Sequence, residues 1–399
     1  MSSFSKPRLD RMHDIMAGYV ESGAVPGVVT LLARHGEIVA DTIGAKAIGG
    51  EAMRRDTIFR IASLSKPITA VAAMILAEEC KLRLDDPVDE ILPELADRRV
   101  LRSLGSQLDD TVPANRPITL RDLLTFRFGF GSVMAMPGTY PIQQHIAKLH
   151  IGGDGPPQPQ KTPRPDEWMR NLGTLPLLYQ PGERWLYNVG ADVLGVLIAR
   201  ASGQSFGDFL QERIFAPLGM QDTGFFVPPN KRSRFATSYE ADAETGRLNV
   251  YDPAEDGQWA SAPAFESGAG GLVSTADDYL RFCQMMLGKG KLGDTRILAR
   301  PTVEVMTTDQ LLPEQREDAE IFFRDNSSWG LGMAVYTKRT SNWSVPGRFG
   351  WDGGLGTSGY TDPAEDMIGI LMTQVAWNSP SGPLIMNDFW TSAYAAIDD

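Results

Sequence analysis

Val28-Val29-Thr30-Leu31-Leu32-Ala33, a break at Arg34-His35-Gly36-Glu37, then Ile38-Val39-Ala40: this stretch decides the fold. Two β-rich runs around a short turn containing glycine read as a hairpin. Ahead of it, Leu9, Met12, Ile15, Met16 and Tyr19 recur at helical spacing within residues 8–22. At the far end, Gly330–Tyr336, Thr357–Thr361 and Met367–Thr373 read as three more strands, followed by a helix over about Asn387–Ala396. Strands thus stand at both ends of the chain, each set with a helix outside it. One antiparallel sheet built from both termini and covered by helices is the economical arrangement.

The middle follows another pattern. Ile68–Glu79, Leu120–Thr125, Val193–Ala201 and Phe206–Phe215 read as helices separated by Pro- and Gly-rich connections. Gly152–Pro165, with five prolines and three glycines, reads as a loop or lid. The expected division is a sheet domain from residues 1–75 and 270–399, with a mostly helical insertion at 76–269 and the active site between them. A length of 399 residues suits one large fold with such an insertion.

Composition removes several classes of function. Hydrophobic residues make up 42% and charged residues 22%, so the chain is neither disordered nor fibrous. A net charge of −12 argues against a nucleic-acid partner or an anionic membrane surface, which need a basic footprint. The longest apolar run, Ala70–Ala77, is far short of the ~20 residues that span a bilayer. The N-terminal residues hold no signal-like apolar core, so the expectation is a soluble, cytoplasmic chain. Cys80 and Cys283 do not make a disulfide framework; two buried free thiols are expected. His13, His35, His145 and His150 are not paired at metal-ligand spacing, and no metal or other cofactor is expected.

Chemistry has several places to sit. In Phe59-Arg60-Ile61-Ala62-Ser63-Leu64-Ser65-Lys66-Pro67, Ser63 stands at a helix start and Lys66 one turn later on the same face. A helix N-terminus favours a developing alkoxide. A desolvated lysine can lose its charge and take the serine's proton. Chance alone supplies about one Ser-x-x-Lys in a chain this long. The tetrad indeed recurs at Ser3–Lys6, in what reads as a disordered tail. Ser205, in Gly203-Gln204-Ser205-Phe206-Gly207, matches a nucleophile elbow. Its context reads instead as a helix C-cap at Gly203 and an N-cap at Ser205. Tyr187 stands before a helix, as packing or as a proton shuttle. Phe349–Thr357, with four glycines from Gly350 to Gly356, lies beside a strand. It is either a structural bend or a place where backbone N–H groups meet a substrate.

Taken in order, Ser63-x-x-Lys66, Tyr187 and the Gly-rich strand near the C-terminus resemble serine β-lactamases and penicillin-binding proteins. Ile118–Thr125, Ile214–Phe225 and Gly268–Asp278 are similar to the class C β-lactamase-related group, so the likeness runs from about residue 8 to 396. The resemblance implies that Ser63 is the acylated nucleophile and that Lys66 and Tyr187 share the acid–base work. It also implies an oxyanion hole from the N–H groups of Ser63 and Gly354.

Two departures stand out. Where the group has Tyr-x-Asn, this chain has Val189 in the third place, with Asn188 beside it. Where it has Lys-Thr-Gly, this chain has Trp351-Asp352-Gly353. The missing lysine removes a cation for a substrate carboxylate. Trp351 offers apolar area instead and resembles the family VIII carboxylesterases. Asp352, Gly353 and Asn188 are further expected substrate contacts. Phe128 and Met134 are expected as apolar lining, within a group (Phe126, Phe128, Phe130, Val133, Met134, Met136) that reads equally as core.

The implied function is a serine esterase for small to medium acyl esters, with a small-molecule ester as its partner. The same site also suits β-lactam hydrolysis, D-amino-acid peptidase or amidase chemistry, or acyl transfer. A non-enzymatic binder is the alternative of another class. The oligomeric state is not legible.

Overall fold

A computed structural model describes residues 2–152, 157–378 and 382–399. Helix α1 (Lys6–Glu21) leads into strands β1 (Gly27–Arg34) and β2 (Glu37–Gly44). Their turn places His35 and Gly36 at φ values of 48° and 81°. Two successive positive values are what a tight hairpin turn requires, and Gly36 adopts its own without strain. The chain returns to this sheet near its end, with β3 (Ser327–Trp329), β4 (Ala334–Tyr336), β5 (Phe349–Gly353), β6 (Thr357–Asp362) and β7 (Met367–Met372). The spatial order is β3-β4-β5-β6-β7-β1-β2, antiparallel throughout. The first strand of the chain therefore closes against the last, with Val29 opposite Met372 and Arg34 opposite Met367.

All eight residues of β1 are buried, because the strand is central and covered on both faces. Alternation along it splits the core in two. Val29 and Leu31 face the side covered by the helix Ala276–Leu287, where the core continues to helix α2 (Ser65–Glu78), while Val28 and Leu32 face α1 and the last helix (Leu384–Ala395). Twelve of the fourteen residues of α2 are buried, as its almost continuous apolar run demands. It packs against α3 (Val189–Ser202).

The sheet from both ends with flanking helices is the arrangement expected from the sequence, but several details differ. Gly330–Tyr336 is no single strand, since Gly332 (φ 83°) turns the chain between β3 and β4. Phe349–Gly353 is itself a strand of the sheet. The N-terminal residues are not a disordered tail: Phe4 is buried, and the Ser3 amide donates to Glu37 at 2.6 Å. Cys80 is exposed and only Cys283 is buried; both thiols are free. Of the expected 152–165 loop, residues 153–156 lie outside the described residues. Among the described residues no helix is long and apolar enough to cross a membrane.

Candidate active site

Ser63 occupies a single 3-10 turn (Ala62–Leu64) that runs directly into α2. Its predecessor Ala62 has φ 44°, a left-handed conformation that an alanine adopts only at a cost in strain. Lys66 is in the first turn of α2, on the face that carries Ser63. Its ammonium nitrogen Nζ lies 2.8 Å from Ser63 Oγ and 2.6 Å from the carbonyl oxygen of Ala269. Tyr187 arrives from the start of α3 and donates its hydroxyl to Ser63 Oγ at 2.8 Å. The next residue, Asn188, has φ 82° and lines the cavity in front of the serine.

The electrostatics separate the two partners of Ser63. Burial pushes Lys66 down to about 7, against the pull of the Asp192 carboxylate, which raises it. Burial pushes Tyr187 up to about 12, more than its hydrogen bonds with Ser63 and Trp351 lower it. Near neutral pH the lysine can therefore accept a proton, while the tyrosine holds one to give. Lys66 Nζ also lies 4.5 Å from the centre of the Tyr187 ring, so both groups share one small apolar space.

Strand β5 closes the other side. Gly353 packs so tightly against the serine's turn that a Cβ there would collide with the carbonyl of Ile61. Thr357 Oγ1 donates to the same carbonyl at 3.0 Å and ties β6 to the turn. Gly354 follows in open space and lines the cavity with Ser63. Its amide makes no backbone hydrogen bond among the described residues.

Trp351, on the serine's side of β5, donates its indole N–H to the Tyr187 hydroxyl at 2.8 Å. Asp352 points to the opposite face, where it accepts from Ser358 Oγ at 2.5 Å and from the Tyr360 hydroxyl at 3.1 Å. It is nonetheless among the residues that line the cavity. Met134 is exposed at the cavity rim. Phe128 is not lining: it is fully buried beside Phe130, because this segment turns its rings inward. Ser205 caps the short helix Phe206–Leu210 through the Asp208 amide, 3.0 Å away, and Gly203 is the left-handed C-cap of α3. Among the described residues no group of acidic, histidine or cysteine side chains is arranged to hold a metal.

Sequence reasoning misses Asp192. One turn into α3 it is buried, accepting from Ser267 Oγ at 2.6 Å and from the Ala269 amide at 3.0 Å. It thereby fixes the carbonyl that holds Lys66. A signal for it is present, an aspartate five residues after Tyr187 in an otherwise apolar helix, where a charge needs a partner.

The β-lactamase family model matches residues 12–383. An uncharacterized protein of Mycobacterium tuberculosis is 36% identical over 364 residues, which cover 89% of this chain and 87% of that protein. Esterase EstB of Burkholderia gladioli is 30% identical over 387 residues, 90% of this chain and 88% of that one. Among solved structures, EstCE1, described as a hydrolase with promiscuous acyltransferase activity, superposes with a TM-score of 0.80. It does so at 24% identity, over 97% of this chain and 98% of its own.

Proposed function

The chain belongs to the β-lactamase family, and from that premise we propose that it is a serine carboxylesterase acting through an acyl-enzyme on esters of small to medium acyl groups. The observation that carries this reading is Ser63 Oγ, held at 2.8 Å by both Lys66 and Tyr187. A binding protein has no use for such a pair on one hydroxyl.

In the proposed cycle Ser63 Oγ attacks the ester carbonyl while Lys66 takes its proton. The oxygen that becomes negative is met by the N–H groups of Ser63 and Gly354. The C–O bond to the alcohol then breaks. Tyr187 gives its proton to the departing oxygen and recovers one from Lys66, which leaves an acyl-Ser63 ester. Water repeats the sequence: its proton passes to the base, its oxygen binds the acyl carbon, and Ser63 leaves with a proton. The charges balance without any further reactant.

Esters are favoured over β-lactams by Trp351. It stands where related enzymes place a lysine, and its N–H is already given to Tyr187. A substrate carboxylate meets an indole at this position instead of an ammonium group. EstB, named an esterase, supports the same choice at 30% identity. The test is a fluorophosphonate probe read by intact mass, beside turnover of short p-nitrophenyl esters and nitrocefin. A single adduct lost in Ser63→Ala, with esters turned over faster than nitrocefin, is the expected result. The opposite preference would give the site to β-lactams.

A further inference from the structure

The cavity at Ser63 is larger than a short acyl group needs. It holds about 1010 Å³, at the upper end of the roughly 300–1,000 Å³ common for small-molecule sites. Its lining falls into two sets. One belongs to the helical half of the molecule and includes Met134, Trp168 and Phe265. The other begins at Trp351 and rounds the edge of β5. There β4 pairs only with Phe349 and Gly350, so residues 351–353 have no strand on that side, while β6 pairs with them on the other. This second arm ends beneath the helix Leu384–Ala395 and is walled by the rings of Phe322, Tyr336, Trp343, Tyr360 and Trp377.

Two observations say which half of the ester enters it. The Tyr187 hydroxyl, which protonates the leaving oxygen, is held by Trp351 at 2.8 Å, and its ring lies 4.8 Å from Phe322. The proton donor therefore stands at the mouth of the aromatic arm, so the departing alcohol lies on that side. Of the charged groups around the arm, Asp352 already accepts from Ser358 and Tyr360 and faces Arg348, Arg348 is sheathed by the arm's own Tyr336, Trp343 and Tyr360 rings, and Arg324 is exposed to solvent, so the surface a ligand meets is aromatic rather than charged. Ring walls favour offset or edge-on contact with another ring.

We propose that this arm takes the alcohol half of the substrate and that this alcohol is a neutral aromatic one, the acyl half remaining small. The proposal rests on the esterase reading. It adds no step: the bond broken is still the acyl C–O bond, and the aromatic alcohol leaves with the Tyr187 proton.

The experiment compares 2-naphthylmethyl acetate with ethyl acetate, whose alcohols are similar in acidity, and both with ethyl 2-naphthylacetate, which carries its ring on the acyl side. The naphthylmethyl ester should have a kcat/KM at least about tenfold above ethyl acetate, the gain of roughly one well-placed ring contact. Trp343→Ala opens the arm's wall. Asn387→Trp fills the arm from an exposed position on the covering helix. Each should bring that ratio within about threefold of unity, with the unfolding midpoint showing that the variant is folded. Equal rates for the two acetates would overturn the proposal. So would a loss confined to ethyl 2-naphthylacetate in the variants, since the arm would then hold the acyl group. Absence of all ester turnover and of any acyl-Ser63 would instead remove the esterase reading beneath it.

Discussion

Lys66 and Arg348 are two fully buried cations on opposite sides of one sheet, and the molecule treats them in opposite ways. Lys66 has two hydrogen-bond partners and loses much of its basicity to burial. Arg348, just before β5, has no hydrogen-bond partner among the described residues for Nε or either terminal nitrogen. Aromatic faces surround it instead, with the Tyr360 and Trp390 rings each 4.0 Å from its guanidinium carbon. A lysine is a compact charge that gives up its proton when water is removed. A guanidinium keeps its proton and stacks on rings. Burial thus gives the proposed base on one side of the sheet its lowered pKa, and on the other side it holds a clamp between sheet and C-terminal helix.

Exchanging the two side-chain types tests that contrast most directly. Lys66→Arg keeps the charge but cannot accept the serine's proton. It should lower kcat by about 10²–10⁴ with a normal unfolding transition. A turnover close to wild type would mean that Lys66 is not the base. Lys66→Ala and Tyr187→Phe should each lose kcat far more than KM changes. The double variant should be little worse than the poorer single, because groups acting as one unit are not additive when removed. Independent, additive losses would separate the tyrosine from the base.

Arg348→Lys is the reciprocal change. Its cost should appear in stability, read by chemical denaturation, and should be about 2 kcal/mol, the strength of a desolvated cation–π interaction. The folded fraction should turn over ethyl acetate, which leaves the aromatic arm empty, at nearly the wild-type rate. A large loss of activity without loss of stability would place Arg348 in the active site, contrary to its position on the far face.

The same contrast shows what the sequence could tell. Ser-x-x-Lys occurs twice, and only context tells the copies apart. At Ser63 it follows a β-like segment and opens a long apolar run. At Ser3 it opens α1, where Lys6 lies on the surface paired with Asp10. The cap at Ser205 is legible for the same local reason, since its amide partner is three residues away. The Arg348 cage is not. Its rings come from β4, β6 and the last helix, and no spacing in the chain joins them. Trp351 reads in the sequence as apolar area in the place of a lysine, but its N–H reaches a residue 164 positions away. Phe128 fits both core and lining by composition, and only the direction of its loop decides.

Each cation also has a carboxylate nearby, and these give the smallest and most discriminating effects. In the proposed cycle turnover needs neutral Lys66, so activity should fall as pH drops through the lysine's depressed pKa, near 7. Asp192 raises that pKa. Asp192→Asn should therefore move the acid limb of kcat/KM to lower pH, together with some loss of rate, because the Ala269 carbonyl is held less firmly. A limb that moved upward would contradict the sign of the coupling.

Asp352 is the matching carboxylate on the Arg348 side. Its own pKa is raised by burial, against hydrogen bonds from Ser358 and Tyr360 and the nearby Arg348 charge, which lower it. Asp352→Asn keeps an oxygen that can accept from Ser358 or Tyr360 but removes the charge facing Arg348. It should cost about 1 kcal/mol of stability. The acid limb should stay where it is, because Asp352 is not among the groups that set Lys66. What distinguishes the two variants is therefore the pH axis and not the size of the loss. If Asp352→Asn displaced the limb as Asp192→Asn does, the strand would not separate the two cations electrostatically, and the division into a base and a clamp would fail.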